Sequence, residues 1–194
     1  MDYELELSIV MPCLNEERTI GTCITKAFDW MKKNNVTGEV VIGDNGSIDK
    51  SILIAEQLGA RVINVEIPGY GADCYYGSKA AKGRYIIMGD SDDSYDFSRL
   101  ELFMEKLREG YELVMGNRFQ GGIAPGAMPW KNRYIGNPAI TNIGKFLFGA
   151  PVNDFLCGLR GYSAEAFNRM DLQTTGMEFA SEMVIKATLL KMRL

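Results

Sequence analysis

The apolar run Tyr85–Gly89 breaks off into four carboxylates, Asp90, Asp92, Asp93 and Asp96. Side chains alternate along an extended strand, so Asp90 and Asp92 project from one face at its end. Two carboxylates about 5 Å apart repel by roughly 3 kcal/mol at an effective dielectric near 20. A hard divalent cation turns that repulsion into attraction, and Mg²⁺ or Mn²⁺ takes a few carboxylates together with substrate phosphates. An Asp-x-Asp leaving a buried strand therefore points to a metal–diphosphate site. The same acids also fit a solvated loop opening the next helix, where Asp favours the N-terminus.

Other groups carry chemistry of their own. Arg118 leaves a strand near the acids, where it fits either a bidentate clamp on phosphate or an ion pair with one of the aspartates. Asp154 sits among Val152, Phe155, Leu156 and Cys157, surroundings that raise a carboxyl pKa toward that of a general base, although a turn cap is the plainer role. Arg133 lies in a Gly/Pro-rich stretch and reads either as a phosphate ligand or as plain surface charge. Glu178 and Glu182 share a helix face as solvated charge. With no histidine in the chain, His-ligated zinc, His-based triads and imidazole acid–base chemistry are excluded, so any general base is a carboxylate. Gly69-Tyr70-Gly71 lacks the third glycine of a dinucleotide fingerprint, which would fall on Cys74, and no P-loop motif occurs.

The elements that position these residues alternate in type. Strands are expected at Leu5–Met11, Val40–Gly43, Arg61–Glu66, Tyr85–Gly89 and Glu112–Gly116. Helices are expected at about Glu16–Lys33, Lys50–Leu58, Ala72–Ala81 and Leu100–Arg108, with Gly59 and Gly110 as C-terminal caps. This rhythm predicts an α/β fold with a mainly parallel central sheet flanked by helices. Ligands of such sheets bind beyond the carboxyl ends of the strands. Four exits there are polar: Asn15-Glu16, Asp44-Asn45-Gly46-Ser47, Asp90–Asp93 and Asn117-Arg118. After residue 119 the rhythm fails. Gln120–Pro138, with Trp130, Lys131 and Arg133, reads as a functional loop. Ile140, Ile143, Phe146 and Leu147 then form a helical stripe that suits core packing or a lipid surface.

The 194 residues, 46% apolar, suit a single domain, and a net charge of −4 argues against a nucleic-acid partner. Cys13, Cys23, Cys74 and Cys157 show no metal or redox spacing and read as buried reduced thiols. The acidic start has no signal-peptide pattern, and no stretch of 18 apolar residues occurs. The end at Lys191-Met192-Arg193-Leu194 has no cap or turn, so the expectation is a piece of a longer protein.

Taken in order, Pro12-Cys13-Leu14-Asn15-Glu16, Asp44-Asn45-Gly46-Ser47-Ile48-Asp49, Gly69-Tyr70-Gly71 and Asp90-Ser91-Asp92 resemble the motifs of GT-A-fold glycosyltransferases of family two. Gly116-Asn117-Arg118-Phe119, Arg133–Asn137 and Asp154–Arg160 look like the branch of dolichol-phosphate mannosyltransferase and bacterial polyprenyl-phosphate glycosyltransferases. The match runs from about residue 7 to 185. It implies a UDP- or GDP-sugar donor, a polyprenyl phosphate acceptor, inversion at the anomeric carbon and Mg²⁺ or Mn²⁺. By position, Pro12, Asn15 and Glu16 would border the nucleotide, Asp44 its base or ribose, and Asp90 the ribose, while Asp92 would hold the metal. Arg118, Arg133 and Asn137 would receive the acceptor phosphate, and Asp154 would line the reaction centre. The resemblance further implies C-terminal membrane-associated chain and work at the inner, cytoplasmic membrane face. Asn45 departs from the family, which carries a second aspartate there. A transferase for saccharide or other soluble acceptors, and a catalytically silent nucleotide-sugar binding module, are the competing readings.

Overall fold

The computed structural model describes residues 3–118 and 136–194. Its strands are β1 (Leu5–Cys13), β2 (Gly38–Asp44), β3 (Arg61–Asn64), β4 (Gly83–Met88), β5 (Leu113–Met115) and β6 (Arg160–Ser163). Its helices include α1 (Ile20–Lys33), α2 (Ser51–Gln57), α3 (Tyr70–Ala80), α4 (Glu101–Arg108), α5 (Asn137–Phe148), α6 (Ala164–Met170) and α7 (Phe179–Leu189). The strands form one sheet in the order β3-β2-β1-β4-β6-β5. β1 to β4 pair in parallel, whereas β6 runs antiparallel to both β4 and β5. The sheet is therefore mainly parallel, with one reversed strand wedged into it.

Period-two alternation divides the core between the two faces. Leu7, Ile9, Met11, Val40, Ile42 and Ile87 pack with α1, α2 and α4 on one side. Val10, Val41, Ile86 and Met88 pack with α3, α6 and α7 on the other. β1 lies between two parallel neighbours and is buried on both faces from Leu7 to Cys13, as the centre of a covered parallel sheet must be. α2 and α4 stop at Gly59 and Gly110, both with positive φ. In each case the following residue donates back over the last turn, Ala60 to the Ala55 carbonyl and Tyr111 to the Lys106 carbonyl.

Two sequence expectations shift. α1 begins at Ile20 rather than Glu16 because the amides of Asn15, Glu16 and Glu17 are committed to hydrogen bonds with the loop after β2. β6 was not expected at all: Arg160-Gly161-Tyr162-Ser163 has no strand-like composition, yet three of its residues are buried. Among the described residues no helix is long and apolar enough to cross a membrane. All four cysteines are buried and unpaired. Trp130, Lys131 and Arg133 lie outside the described residues. Of the apolar stripe on α5, Phe146 stands 89% exposed.

Candidate active site

The carboxyl ends of β1, β2 and β4 share one rim, and the loops leaving β1 and β2 are bound to each other there. Asn15 takes a left-handed φ of 61°. Its amide donates to Ser47 Oγ (2.9 Å) and its Oδ1 accepts from the Ile48 amide (2.8 Å). The Glu16 amide donates to Ser51 Oγ and the Glu17 amide to Asp49, while Glu17 accepts from the Lys50 amide. Asp44 turns inward and accepts from the amides of Gly46 and Ser47, an Asx turn that fixes the loop from below. Both loops thus hold their shape before any ligand arrives.

Asn45 extends this bracing to the next strand exit. Its Nδ2 donates to the carbonyls of Val65 and Ile67, and its Oδ1 accepts from the Gly69 amide at 2.8 Å. An aspartate could accept from Gly69 but could not donate to the two carbonyls. Gly69 has a φ of +131°, and a Cβ there would fall 2.3 Å from the Thr175 carbonyl oxygen. Only glycine allows the chain to turn into α3 against that backbone.

A cleft of about 510 Å³ opens at this rim. Pro12, Cys13, Leu14 and Glu16 form its β1 side; Asn45, Pro68, Gly69, Tyr70 and Asp73 form its β2–α3 side. Asp90, Ser91 and Asp92 close it from β4. Of the residues expected to border a nucleotide, Pro12, Glu16, Asp90 and Asp92 line the cleft, while Asn15 and Asp44 shape its walls from behind. A larger depression of about 950 Å³ lies at the amino ends of β1 and β4, near Glu4, Arg84 and Arg108. That is the wrong end of the strands for a ligand site in a parallel sheet.

The four rim acids separate into two pairs. Asp93 is held by Lys26 at 2.7 Å, and Asp96 accepts from the Ser98 amide and hydroxyl ahead of α4. Asp90 and Asp92 face the cleft, and no cation among the described residues bridges to either. Asp90 Oδ1 accepts from the Tyr70 hydroxyl at 2.8 Å. Burial pushes the Asp90 carboxyl up from its ordinary pKa, Asp92 adds to the rise, and the Tyr70 bond, Arg160 and Arg118 oppose it. Among the described residues, exposed Asp92 accepts one local bond, from the Ser94 amide. Between them Ser91 donates to the Pro12 carbonyl at 2.6 Å and anchors the acidic loop to β1. Among the described residues no group of three or more His, Cys, Asp or Glu side chains forms a metal cage. Two hard carboxylates facing a cleft do suit Mg²⁺ or Mn²⁺, which complete their shells with substrate phosphates and water.

Beyond the acids, Asp154 is paired with Arg118. Nε and Nη2 of Arg118 donate to the two carboxylate oxygens at 2.8 and 2.7 Å, and the Arg118 amide donates at 3.1 Å. The Asp154 side chain is wholly buried, whereas that of Arg118 is 24% exposed. The sequence left the partner of Arg118 open, and it lies 36 residues away rather than in the acidic run. The pairing drives the Arg118 pKa upward, and it leaves Asp154 engaged as an orienting acceptor rather than free as an isolated base. Asn137 opens α5 nearby in sequence; Arg133 lies outside the described residues.

Sequence reasoning passed over Arg160 and Asp73 as functional groups and misread Glu182. Arg160 is fully buried and donates to the carbonyls of Phe155, Cys157 and Ala180, tying the loop after Asp154 to α7. Glu182 accepts from the Gln173 and Thr174 amides, the Thr174 hydroxyl and Lys186, which hold its pKa near 2 against the effect of burial. It braces a loop rather than serving as solvated charge. Asp73 in α3 lines the cleft with 4% exposure.

A family model described as "Glycosyl transferase family 2" matches residues 8–171. The chain is 41% identical over 187 residues to the low-salt glycan biosynthesis hexosyltransferase Agl6 of Haloferax volcanii, covering 96% of this chain and 45% of that protein. It is 34% identical to a dolichyl-phosphate hexose transferase of the same organism, covering 93% of this chain and 76% of the relative. The chain thus spans less than half the length of the first relative. Among solved structures, glucosyl-3-phosphoglycerate synthase from Mycobacterium tuberculosis, in complex with Mn²⁺, UDP and glucosyl-3-phosphoglycerate, superposes with a TM-score of 0.72 at 22% identity. That likeness covers 95% of this chain and 65% of the other, and it shows the shared GT-A fold.

Proposed function

The chain belongs to glycosyl transferase family 2, and from that premise we propose that it moves a hexose from a nucleotide-sugar donor to a polyprenyl phosphate. The transfer inverts the anomeric carbon, depends on Mg²⁺ or Mn²⁺, and takes place at the cytoplasmic face of a membrane. The observation that carries this reading is the division among the rim acids, which leaves Asp90 and Asp92 turned to the cleft with no ion-pair partner among the described residues. The dolichyl-phosphate hexose transferase relative supports the acceptor class.

In this reading Pro12, Glu16 and Asp90 flank the nucleotide, while Asn15, Asp44 and Asn45 keep that wall in place. Asp92, with Asp90 beside it, would hold the divalent cation. When bound, the cation supplies positive charge to the departing nucleoside diphosphate. An oxygen of the acceptor phosphate attacks the anomeric carbon as the bond from that carbon to the donor's β-phosphate oxygen breaks. That oxygen is already an anion, so no general base is required and positioning carries the rate.

Asp154 takes the Nε–Nη2 edge of Arg118, so the guanidinium meets the acceptor phosphate with its remaining edge, already oriented. Arg133 and Asn137 complete the acceptor set, as the resemblance implies.

Full-length protein incubated with labelled UDP- or GDP-hexose, Mn²⁺ and polyprenyl phosphate should yield a labelled lipid, and chelation should abolish it. Label appearing only on soluble acceptors would overturn the lipid assignment. Donor binding without any turnover would leave a silent binding module.

A further inference from the structure

Asp73 differs from every other acid of the cleft. It sits in the first turn of α3, is 4% exposed, and lines the cavity. Its Oδ1 is fully buried and has no hydrogen-bond partner among the described residues. The close packing of α3 on β2 prevents a simple retreat, since a Cβ at Gly43 would fall 2.4 Å from the Asp73 carbonyl oxygen. A buried polar atom without a partner is costly, and such atoms in folded proteins usually have a partner. Here the side chain that carries this acceptor belongs to the wall of a ligand cleft, and a turn of its carboxylate would bring the buried oxygen to a ligand.

Its place in that cleft identifies the part of the ligand it meets. If the donor's diphosphate lies at Asp92, the β2–α3 side of the cleft, with Asn45, Pro68 and Asp73, is left for its base. We propose that Asp73 reads the base of the donor nucleotide and selects guanine, making the donor a GDP-sugar. This rests on the transferase reading above and deepens it.

The selection follows from donor and acceptor patterns. A carboxylate offers two acceptors side by side and no donor. Guanine is the base whose pairing edge puts two donors side by side, N1–H and the 2-amino group. Uracil offers one N–H between two carbonyl oxygens, which face a carboxylate with repulsion. Adenine and cytosine pair an amino donor with a ring-nitrogen acceptor. Burial and then the charge of Asp44 push the Asp73 pKa up to about 7. Two N–H donors from guanine favour the ionised form and draw that value down.

The test is calorimetric binding of GDP, IDP and UDP to the full-length protein in Mn²⁺, with thermal melts of each variant as a check on folding. Wild type should bind GDP at least about tenfold tighter than UDP, the difference expected of charge-assisted hydrogen bonds in a buried site. IDP, which lacks the 2-amino group, should fall between them. Asp73→Ala and Asp73→Asn should weaken GDP until the preference is under about threefold, with UDP affinity little changed. UDP binding as tightly as GDP, or an equal loss for both nucleotides in the folded variants, would overturn the guanine assignment and leave the transferase reading standing. Binding of none of the three in Mn²⁺ would overturn both.

Discussion

Asp154 and Asp73 are both acids buried beside the same cleft, and the protein treats them in opposite ways. Asp154 has zero side-chain exposure and receives three donors from Arg118. Asp73 is nearly as buried, retains an orphaned oxygen, and its acting charged neighbour is another acid, Asp44. The first is a finished structural unit whose counter-charge comes from the chain. The second is complete only when something else enters. The Arg118 side of the cleft is therefore built by internal pairing, whereas the Asp73 side keeps an unsatisfied acceptor in a braced wall.

Removing one member of the finished pair should produce the largest effect. Arg118→Ala strands the Asp154 carboxylate, and a buried pair broken from one side costs about 3–5 kcal/mol. Denaturant unfolding should show that loss, together with a fall in lipid transfer larger than the fall in donor hydrolysis. A variant as stable as wild type would show that Asp154 does not depend on its partner.

Asp92→Asn sharpens the contrast from the exposed end. Asp92 makes one local bond, so stability should hold while metal-dependent transfer falls by about 100-fold, the scale of losing one preorganised electrostatic group. Undiminished Mn²⁺-dependent donor binding by this variant would remove Asp92 from the metal site.

Asn45→Asp probes the braced wall. It forfeits the donors to Val65 and Ile67 and sets a third acid near Asp44 and Asp73, at a cost of about 1–3 kcal/mol. Thermal unfolding would measure this, and a neutral result would show that the wall does not need its amide.

The last test is a pH slope, an effect spread over several pH units. Asp73 binds its proton more tightly folded, at about 7, than at its ordinary 3.8. Its contribution to stability is therefore intact below about 4 and erodes as pH rises toward 7, levelling off above. Asp73→Asn should lack this component, so wild type minus variant should decline across that window. A flat difference would mean that Asp73 titrates normally.

Much of this arrangement is legible in the residues alone. Apolar runs such as Tyr85–Met88 mark the parallel strands because both sheet faces are covered. The polar exits mark the rim because loops beyond strand ends are where a sheet can hold charge. What escaped legibility depends on contacts distant in sequence. Nothing near Arg118 points to Asp154, and β6 is a strand because it is wedged between β4 and β5 rather than because of its composition. Asp73 lies among Gly71, Ala72, Cys74 and Gly77 in a helix with little amphipathic contrast. Its small, apolar neighbours were the one available sign that this face is buried.

β5 and β6 pair directly, and the Gly116 amide donates to the Leu159 carbonyl at 2.9 Å. Gly116 and Leu159 therefore bracket one place at the edge of the sheet, where the chain departs after β5 and returns into β6. A change in the span between them need not shift the register of β1, β2 and β3, which lie on the other side of β4.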